Sequence, residues 1–186
     1  MIGLFLLLGL QAQAAAPKPA VVPAPKVVAA VAAPAGWTYK ESAEGVAPRS
    51  ASTSVTSTDG NARLVFRCDG GGTADATVSV QYLPKPPAAP GNQRMVQVML
   101  DHSFADNAPW YFPGKGAVNF DAPEVFLLSQ EIGKAKEIGI NFADDAGNGA
   151  GNDFAGPGGD ALFRKVYAVC GIPYEMPSPT AGLKKK

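Results

Sequence analysis

The sequence predicts an α+β fold, with a twisted antiparallel β-sheet or sandwich of about six to seven strands, two helices packed on it and one disulfide. The apolar residues of the segment 36–176 repeat every two positions over most of its length, and the period changes to 3.6 residues twice. Turn-forming residues are abundant, with 21 Gly and 17 Pro among 186 residues, which excludes a mostly helical protein. Two cysteines, Cys68 and Cys170, each close one of the periodic runs.

The first strands are predicted to form a three-stranded meander. Residues 52–58 are rich in Ser, Thr and Val and alternate in polarity, and Asp59-Gly60 then breaks the run. Residues 62–68 and 76–83 alternate in the same way on either side of a Gly-rich turn. Because Asp-Gly between two alternating runs is a strong hairpin signal, we expect these strands to be neighbours.

Three further strands are predicted before the first helix. The segment 84–90 holds four prolines and is therefore a loop. The strand 94–101 follows it, and its inward face is expected to hold Val96, Val98 and Leu100. A short aromatic strand surrounds Trp110, and the segment 118–120 suggests one more.

Two helices frame the last predicted strand. Residues 121–124 are typical of a helix start, with Asp as the N-cap, Pro in the first turn and Glu three residues after the cap. This helix is expected to end at Gly133, and residues 136–143 alternate as a strand. A last helix opens at 156–160 and ends at Cys170, with apolar residues at helical spacing.

The N-terminus is predicted to be a signal peptide over residues 1–14. Residues 2–10 are apolar, and residues 12–14 form the A-x-A pattern of a cleavage site. Such a run reaches only about 14 Å as a helix, which is too short to cross a hydrocarbon layer of ~30 Å. We therefore expect a periplasmic or secreted protein with no integral membrane segment after cleavage.

The rest of the chain is predicted to comprise a spacer, one domain and a tail. The spacer, residues 15–35, holds five prolines, which favour an extended polyproline conformation. A single globular domain covers 36–176, and a flexible basic tail covers 177–186. The chain has 16 Lys and Arg and 16 Asp and Glu, but five of the cations lie outside the domain, which leaves it acidic. A nucleic-acid partner is excluded, because such binders carry a basic excess.

Cys68 and Cys170 favour a structural disulfide, because an even pair of cysteines in an exported protein usually pairs. Closing a loop of about 100 residues stabilises a fold by up to about 4.7 kcal/mol. A reactive thiol and a metal site are the alternatives. A metal site would need further ligands, and His102 is the single histidine of the chain.

No catalytic residue and no cofactor are predicted, so we expect no enzymatic activity. Asp101, His102 and Ser103 are the three residue types of a hydrolytic triad, but neighbours in a strand point to alternate faces and cannot converge. A weak calcium candidate is the set Asp144, Asp145, Asn148 and Asp153. Its spacing departs from the helix-loop-helix calcium pattern, and a plain turn is the favoured interpretation, so no metal is predicted.

Trp110, Tyr111 and Phe112 are the candidate binding surface, because aromatic side chains with a few polar groups line many ligand sites. Trp37 with Tyr39 is a second candidate. Core packing is the favoured interpretation of both groups, because it is the commoner fate of aromatic residues flanked by apolar ones.

The order of these elements resembles that of a known family. The features that carry the resemblance are the strand 62–68 ending in Arg-Cys, the strands 76–83 and 96–101, Trp110, the helix 124–132, the strand 138–142 and the last helix ending at Cys170. This order is similar to that of small exported accessory proteins associated with type VI secretion, the VasI or TagO-like group, over about residues 62–171. The resemblance implies a non-enzymatic envelope protein in which Cys68 and Cys170 are paired.

The function expected from these observations is that of an exported, non-enzymatic cell-envelope accessory or interaction protein, with a link to a secretion system left open. Its partner is an unknown envelope protein or cell-wall component, and we expect a monomer. The alternative is a glycan- or peptidoglycan-directed hydrolase, or a hydrolase inhibitor, that uses Asp101, Asp106 or Asp121. That function would require two carboxylates about 5–9.5 Å apart across a cleft.

Overall fold

The structure, a computed structural model, describes residues 36–45, 47–143, 147 and 149–176. The elements are β1 (Thr38–Glu41), β2 (Arg49–Thr56), β3 (Ala62–Gly71), β4 (Thr77–Pro84), β5 (Gly91–Leu100), β6 (Ser103–Phe112), β7 (Ala117–Asn119), α1 (Ala122–Lys134), β8 (Glu137–Ala143), β9 (Gly149–Ala155) and α2 (Ala161–Cys170). The α+β class and its two helices are thus confirmed. The predicted signal peptide, spacer and basic tail lie outside the described residues.

A single antiparallel sheet holds the nine described strands, in the order β1-β2-β3-β4-β7-β6-β5-β8-β9. The predicted meander is confirmed as β2, β3 and β4. The predicted number of six to seven strands is wrong, because β1 and β9 add a strand at either edge. β9 has the sequence GAGNDFA and buries only Phe154, so its pairing with β8, rather than its own side-chain pattern, makes it a strand.

β5 and β6 form a long hairpin at the place where the sequence predicted a short aromatic strand. Its turn is Asp101-His102, and the two residues have φ values of 48° and 63°. Two-residue hairpin turns of this kind require positive φ at both positions and are usually built with Asn or Gly. Because neither Gly nor Asn is present here, the turn carries no recognisable sequence signal.

The sheet curls until its two ends meet. Thr58, just after β2, donates its backbone N–H to the Asp153 carbonyl of β9 at 2.8 Å. Trp37, just before β1, donates its Nε1–H to the Ala155 carbonyl at 2.8 Å. One face of the sheet therefore encloses the core and is called the inner face below, and the opposite face is called the outer face.

Both helices pack into the core formed by the inner face. Phe163 of α2 contacts Phe66 of β3 and Trp37, with ring centroids 4.6 and 5.6 Å apart. α1 packs against β4. Asp121 caps α1 as the sequence predicts, because its side chain accepts a hydrogen bond from the Glu124 backbone N–H. None of the described residues belongs to a helix long and apolar enough to span a membrane.

Cys68 and Cys170 form a disulfide between β3 and α2, which confirms the pairing. Both side chains are buried, and the two residues are 102 positions apart in sequence. The bond ties the last helix to the middle of the meander. The described residues contain no free cysteine.

Candidate functional site

The three residues of the predicted aromatic surface lie on two different faces of β6. Trp110 and Phe112 are on the inner face and are 0% and 1% exposed. Tyr111 lies between them on the outer face and is 43% exposed. Successive side chains of a strand point to opposite faces, so three adjacent aromatic residues cannot share one surface. Trp110 and Phe112 are core residues, which corrects their place in the binding surface, and Tyr111 alone remains.

Tyr111 has an aromatic partner that the sequence analysis did not assign to the surface. Val118 of β7 pairs with Tyr111 across the sheet, and Phe120 lies two residues further on the same face. The rings of Tyr111 and Phe120 stack with centroids 4.8 Å apart and an interplanar angle of 12°. Phe120 is 53% exposed, so the pair is offered to solvent. The apolar spacing of Val118 and Phe120 was the only sequence signal for it.

The two rings line a cleft of about 490 Å³, called the Tyr111 cleft below. Its other walls are Gln93 and Pro109 from the outer face of the hairpin and the first turn of α1. Met95 lies on the outer face beside Pro109, its cross-strand neighbour, and is also half exposed. The outer face of β5, β6 and β7 thus carries a contiguous group of exposed apolar side chains next to a cleft.

The charge of the Tyr111 cleft is negative. Asp121 and Glu124 line it, and no Lys or Arg does so among the described residues. Both carboxylates accept hydrogen bonds: Asn119 Nδ2 donates to Glu124 Oε2 at 2.6 Å, and the Glu124 backbone N–H donates to Asp121 Oδ1 at 3.1 Å. The cleft therefore combines a fixed acidic rim with an aromatic wall, which suits a ligand that carries both apolar groups and cations.

A second cleft, of about 570 Å³, lies where several strands of the sheet begin or end. The β2–β3 turn, the loop after β4 and the hairpin of β8 and β9 line it. Tyr82 donates its hydroxyl to Asn152 Oδ1, and Asn152 Nδ2 donates to Asp59 Oδ2. Burial, with the nearby Asp59 charge, raises the pKa of Tyr82 to about 12. Hydrogen bonds donated by Ser57, Asn61 and Asn152 lower the pKa of Asp59. The Asp59 carboxylate accepts four such bonds, so it anchors the edge of the sheet and has little capacity left for a ligand.

The carboxylates of the hydrolase alternative do not converge as a pair. Asp101 Oδ1 accepts the backbone N–H groups of Lys136 and Glu137 at 2.9 and 3.0 Å, which hold the pKa of Asp101 below its usual value. Asp121 caps α1 near the other end of β6, so it lies roughly 20 Å from Asp101 along the strand direction. Asp106 points to the inner face, where burial raises its pKa.

The remaining candidates are structural where the structure describes them. Trp37 and Tyr39 are 2% and 8% exposed, and they pack into the core instead of forming a second aromatic surface. Of the calcium candidate, Asp144, Asp145 and Asn148 lie outside the described residues. Asp153 belongs to β9 and pairs with Gly139 of β8. The described residues contain no group of three His, Cys, Asp or Glu side chains placed to hold a metal ion.

No protein-family model, curated protein or solved structure matches this chain. Interpretation of the Tyr111 cleft therefore depends on its own geometry and chemistry.

Proposed function

We propose that the protein is an exported, non-enzymatic cell-envelope protein that binds another protein through the Tyr111 cleft and the outer face around it. The exposed, stacked pair Tyr111–Phe120 is the observation that carries the proposal. Contiguous exposed apolar groups on a soluble domain mark interaction sites. Aromatic side chains are also enriched among the residues that dominate the affinity of interfaces.

The cleft is built for binding with little conformational cost. Tyr111 is held by strand pairing on both sides, to β5 and to β7. The acidic rim is fixed by hydrogen bonds, from Asn119 to the Glu124 carboxylate and from the Glu124 backbone N–H to the Asp121 carboxylate. Because binding partners lose affinity when they must first order mobile side chains, this preformed arrangement favours a recognition role.

The disulfide supports the exported location. Cystines persist in oxidising compartments such as the periplasm and are rare in a reducing cytosol. Cys68 and Cys170 are paired and buried. The resemblance to type VI secretion accessory proteins makes a secretion-system component of the envelope the first partner to test, and a cell-wall component the second.

A hydrolase or a hydrolase inhibitor remains the alternative function, but no observation on the described residues favours it. Two of its three carboxylates accept backbone N–H bonds in structural roles. The third, Asp106, lies on the inner face, away from both clefts. A pair of carboxylates facing each other at about 5–9.5 Å is the arrangement that glycoside hydrolysis needs.

Quantitative affinity capture from envelope extracts tests the proposed function. Tyr111→Ser and Phe120→Ser should each reduce the recovery of the partner at least about tenfold, because loss of one dominant aromatic contact costs about 2 kcal/mol or more. The matched control is Phe104→Ser, since Phe104 is 59% exposed at the opposite end of the same strand.

The fold must be the same in all three variants for this comparison to hold. Their thermal midpoints should stay close to that of the parent chain, because each substitution removes an exposed side chain. Equal recovery with Tyr111→Ser and Phe104→Ser, whether both high or both low, would contradict binding at the Tyr111 cleft.

A further inference from the structure

The chemistry of the Tyr111 cleft matches a segment of the same chain. Pro109 and Pro123 flank the stacked rings of Tyr111 and Phe120. Aromatic-lined grooves of this kind accept proline-rich peptides in the polyproline II conformation. The acidic rim adds a preference for lysine or arginine in the same peptide.

The segment 17–26, PKPAVVPAPK, has these properties. It contains four prolines, begins and ends with a proline–lysine pair, and has no acidic residue. Its lysines, Lys18 and Lys26, are two of the five cations that lie outside the acidic domain. The prolines of the segment therefore match the aromatic lining of the Tyr111 cleft, and its lysines match the acidic rim.

Residues 27–35 connect the segment 17–26 to the chain before β1, and their length can be compared with the distance to the Tyr111 cleft. A continuous row of cross-strand partners leads from β1 to the cleft through Thr38, Ser54, Val65, Gln81, Val118 and Tyr111. Five strand spacings of ~4.8 Å make this path about 24 Å between the strand backbones, and it is somewhat longer over the side chains of the curled outer face. Residues 27–35 span about 28 Å when extended at ~3.1 Å per residue. Lys26 can thus reach the cleft while the chain enters β1.

We propose that the segment 17–26 occupies the Tyr111 cleft of its own chain. A short tether gives such a segment an effective concentration in the millimolar range, so even a weak contact is populated. The proposal goes beyond the proposed function, because the cleft is filled in cis whether or not an external partner uses it. An external partner with the same chemistry would have to displace the segment.

Paramagnetic broadening in the full chain tests this proposal. A nitroxide is attached through Ala20→Cys with the Cys68–Cys170 disulfide intact, and the amide signals of the ¹⁵N-labelled protein are recorded. The expected result is a selective loss of the signals of Tyr111, Phe120 and Glu124. The signals around the second cleft, such as that of Asn152, should persist. Added salt should restore the lost signals in part, since lysine–carboxylate attraction at a surface is screened.

The matched variants separate charge complementarity from a general effect of charge. Lys18→Glu with Lys26→Glu should abolish the broadening at the cleft, because it places acids against Asp121 and Glu124. Lys184→Glu with Lys185→Glu makes the same change of net charge and should leave the broadening intact. Neither pair alters a described residue, so the fold is not at risk.

Three results would overturn the proposal. The first is no broadening at the cleft, and the second is uniform broadening over the outer face. The third is broadening that appears only when spin-labelled chains are mixed with ¹⁵N-labelled chains lacking the label, which would show binding between molecules. Each of these outcomes is independent of whether affinity capture finds an external partner.

Discussion

Adjacent side chains of β6 lie on opposite faces of the sheet. On the inner face, Asp106 and Trp110 each have a buried polar atom without a hydrogen-bond partner among the described residues. Trp110 is fully buried, yet its Nε1–H has no hydrogen-bond partner among the described residues. The same is true of Asp106 Oδ2 on that face. A buried polar atom without a partner costs stability, so both atoms weaken the domain.

The alternation of apolar residues could be predicted from the sequence, but the face on which each aromatic lies depends on the pairing of β6 with β5 and β7.

The half-buried carboxylate of Asp106 should make a contribution to stability that increases as the pH falls, which is opposite to the usual contribution of an aspartate. Burial raises the pKa of Asp106 above its ordinary value of 3.8, so the folded chain holds this proton more tightly than the unfolded chain. Ionised Asp106 therefore lowers the free energy of unfolding at neutral pH, and this loss is recovered as the pH falls through the raised pKa.

Urea unfolding of Asp106→Asn and of the parent chain checks this expectation. At about pH 7 the variant should be the more stable of the two, because it carries no partly desolvated charge. The difference should shrink near pH 3, below the ordinary aspartate pKa of 3.8. A difference that is constant with pH, or a variant less stable at neutral pH, would show that the Asp106 charge is well solvated.

At the scale of elements, the strands with alternating side chains could be predicted, whereas the edge strands could not. β2, β3, β4, β5 and β8 each bury every second residue over part of their length, which produces the period that the sequence shows. β1 has four residues, and β9 is rich in Gly and Asn, so only their backbone pairing defines them. The extent of β6 was missed because its turn, Asp101-His102, uses positive φ without glycine.

The junction after β9 gives a test of how tightly the elements are joined. A Cβ atom on Gly156 would lie 1.8 Å from the Ala135 carbonyl oxygen, which is backbone and cannot move away cheaply. Gly156→Ala should therefore lower the free energy of unfolding by about 1–3 kcal/mol. Denaturant titration followed by circular dichroism measures this change.

Gly149→Ala is the matched control for Gly156→Ala. Gly149 opens β9 and has no heavy atom within 4 Å of the position that its Cβ would take. Its replacement should leave stability unchanged or raise it by up to about 1 kcal/mol through restriction of the unfolded chain. If the two substitutions had equal effects, the close contact between Gly156 and Ala135 would be absent in solution.

At the scale of the whole molecule, the fold class and the meander of β2, β3 and β4 could be predicted from the sequence, whereas the strand order and the binding cleft could not. β7 lies between β4 and β6. Its pairing with β4 is long-range, whereas the pair Tyr111–Val118, which brings Phe120 to Tyr111, joins two consecutive strands. Local periodicity contains no information about such a pairing, because a strand shows the same alternation beside any neighbour. The cleft could not be assigned until the strand order was known.

The disulfide should supply a large part of the stability of the whole domain. It closes a span of 102 residues, for which loop-closure entropy gives up to about 4.7 kcal/mol. The double variant Cys68→Ala with Cys170→Ala should lose several kcal/mol of unfolding free energy in urea titrations. The parent chain measured with a reducing agent is the control, and unchanged stability in both would place the domain's stability in its apolar core.

Site-specific photo-crosslinking in intact cells tests the central claim, that the outer face at Tyr111 binds an envelope protein. A photoreactive amino acid is placed at Tyr111 in one chain and at Phe104 in another, because both positions are exposed on β6. We expect one discrete crosslinked partner from position 111 and none from position 104. No crosslink from position 111, or the same products from both positions, would contradict it.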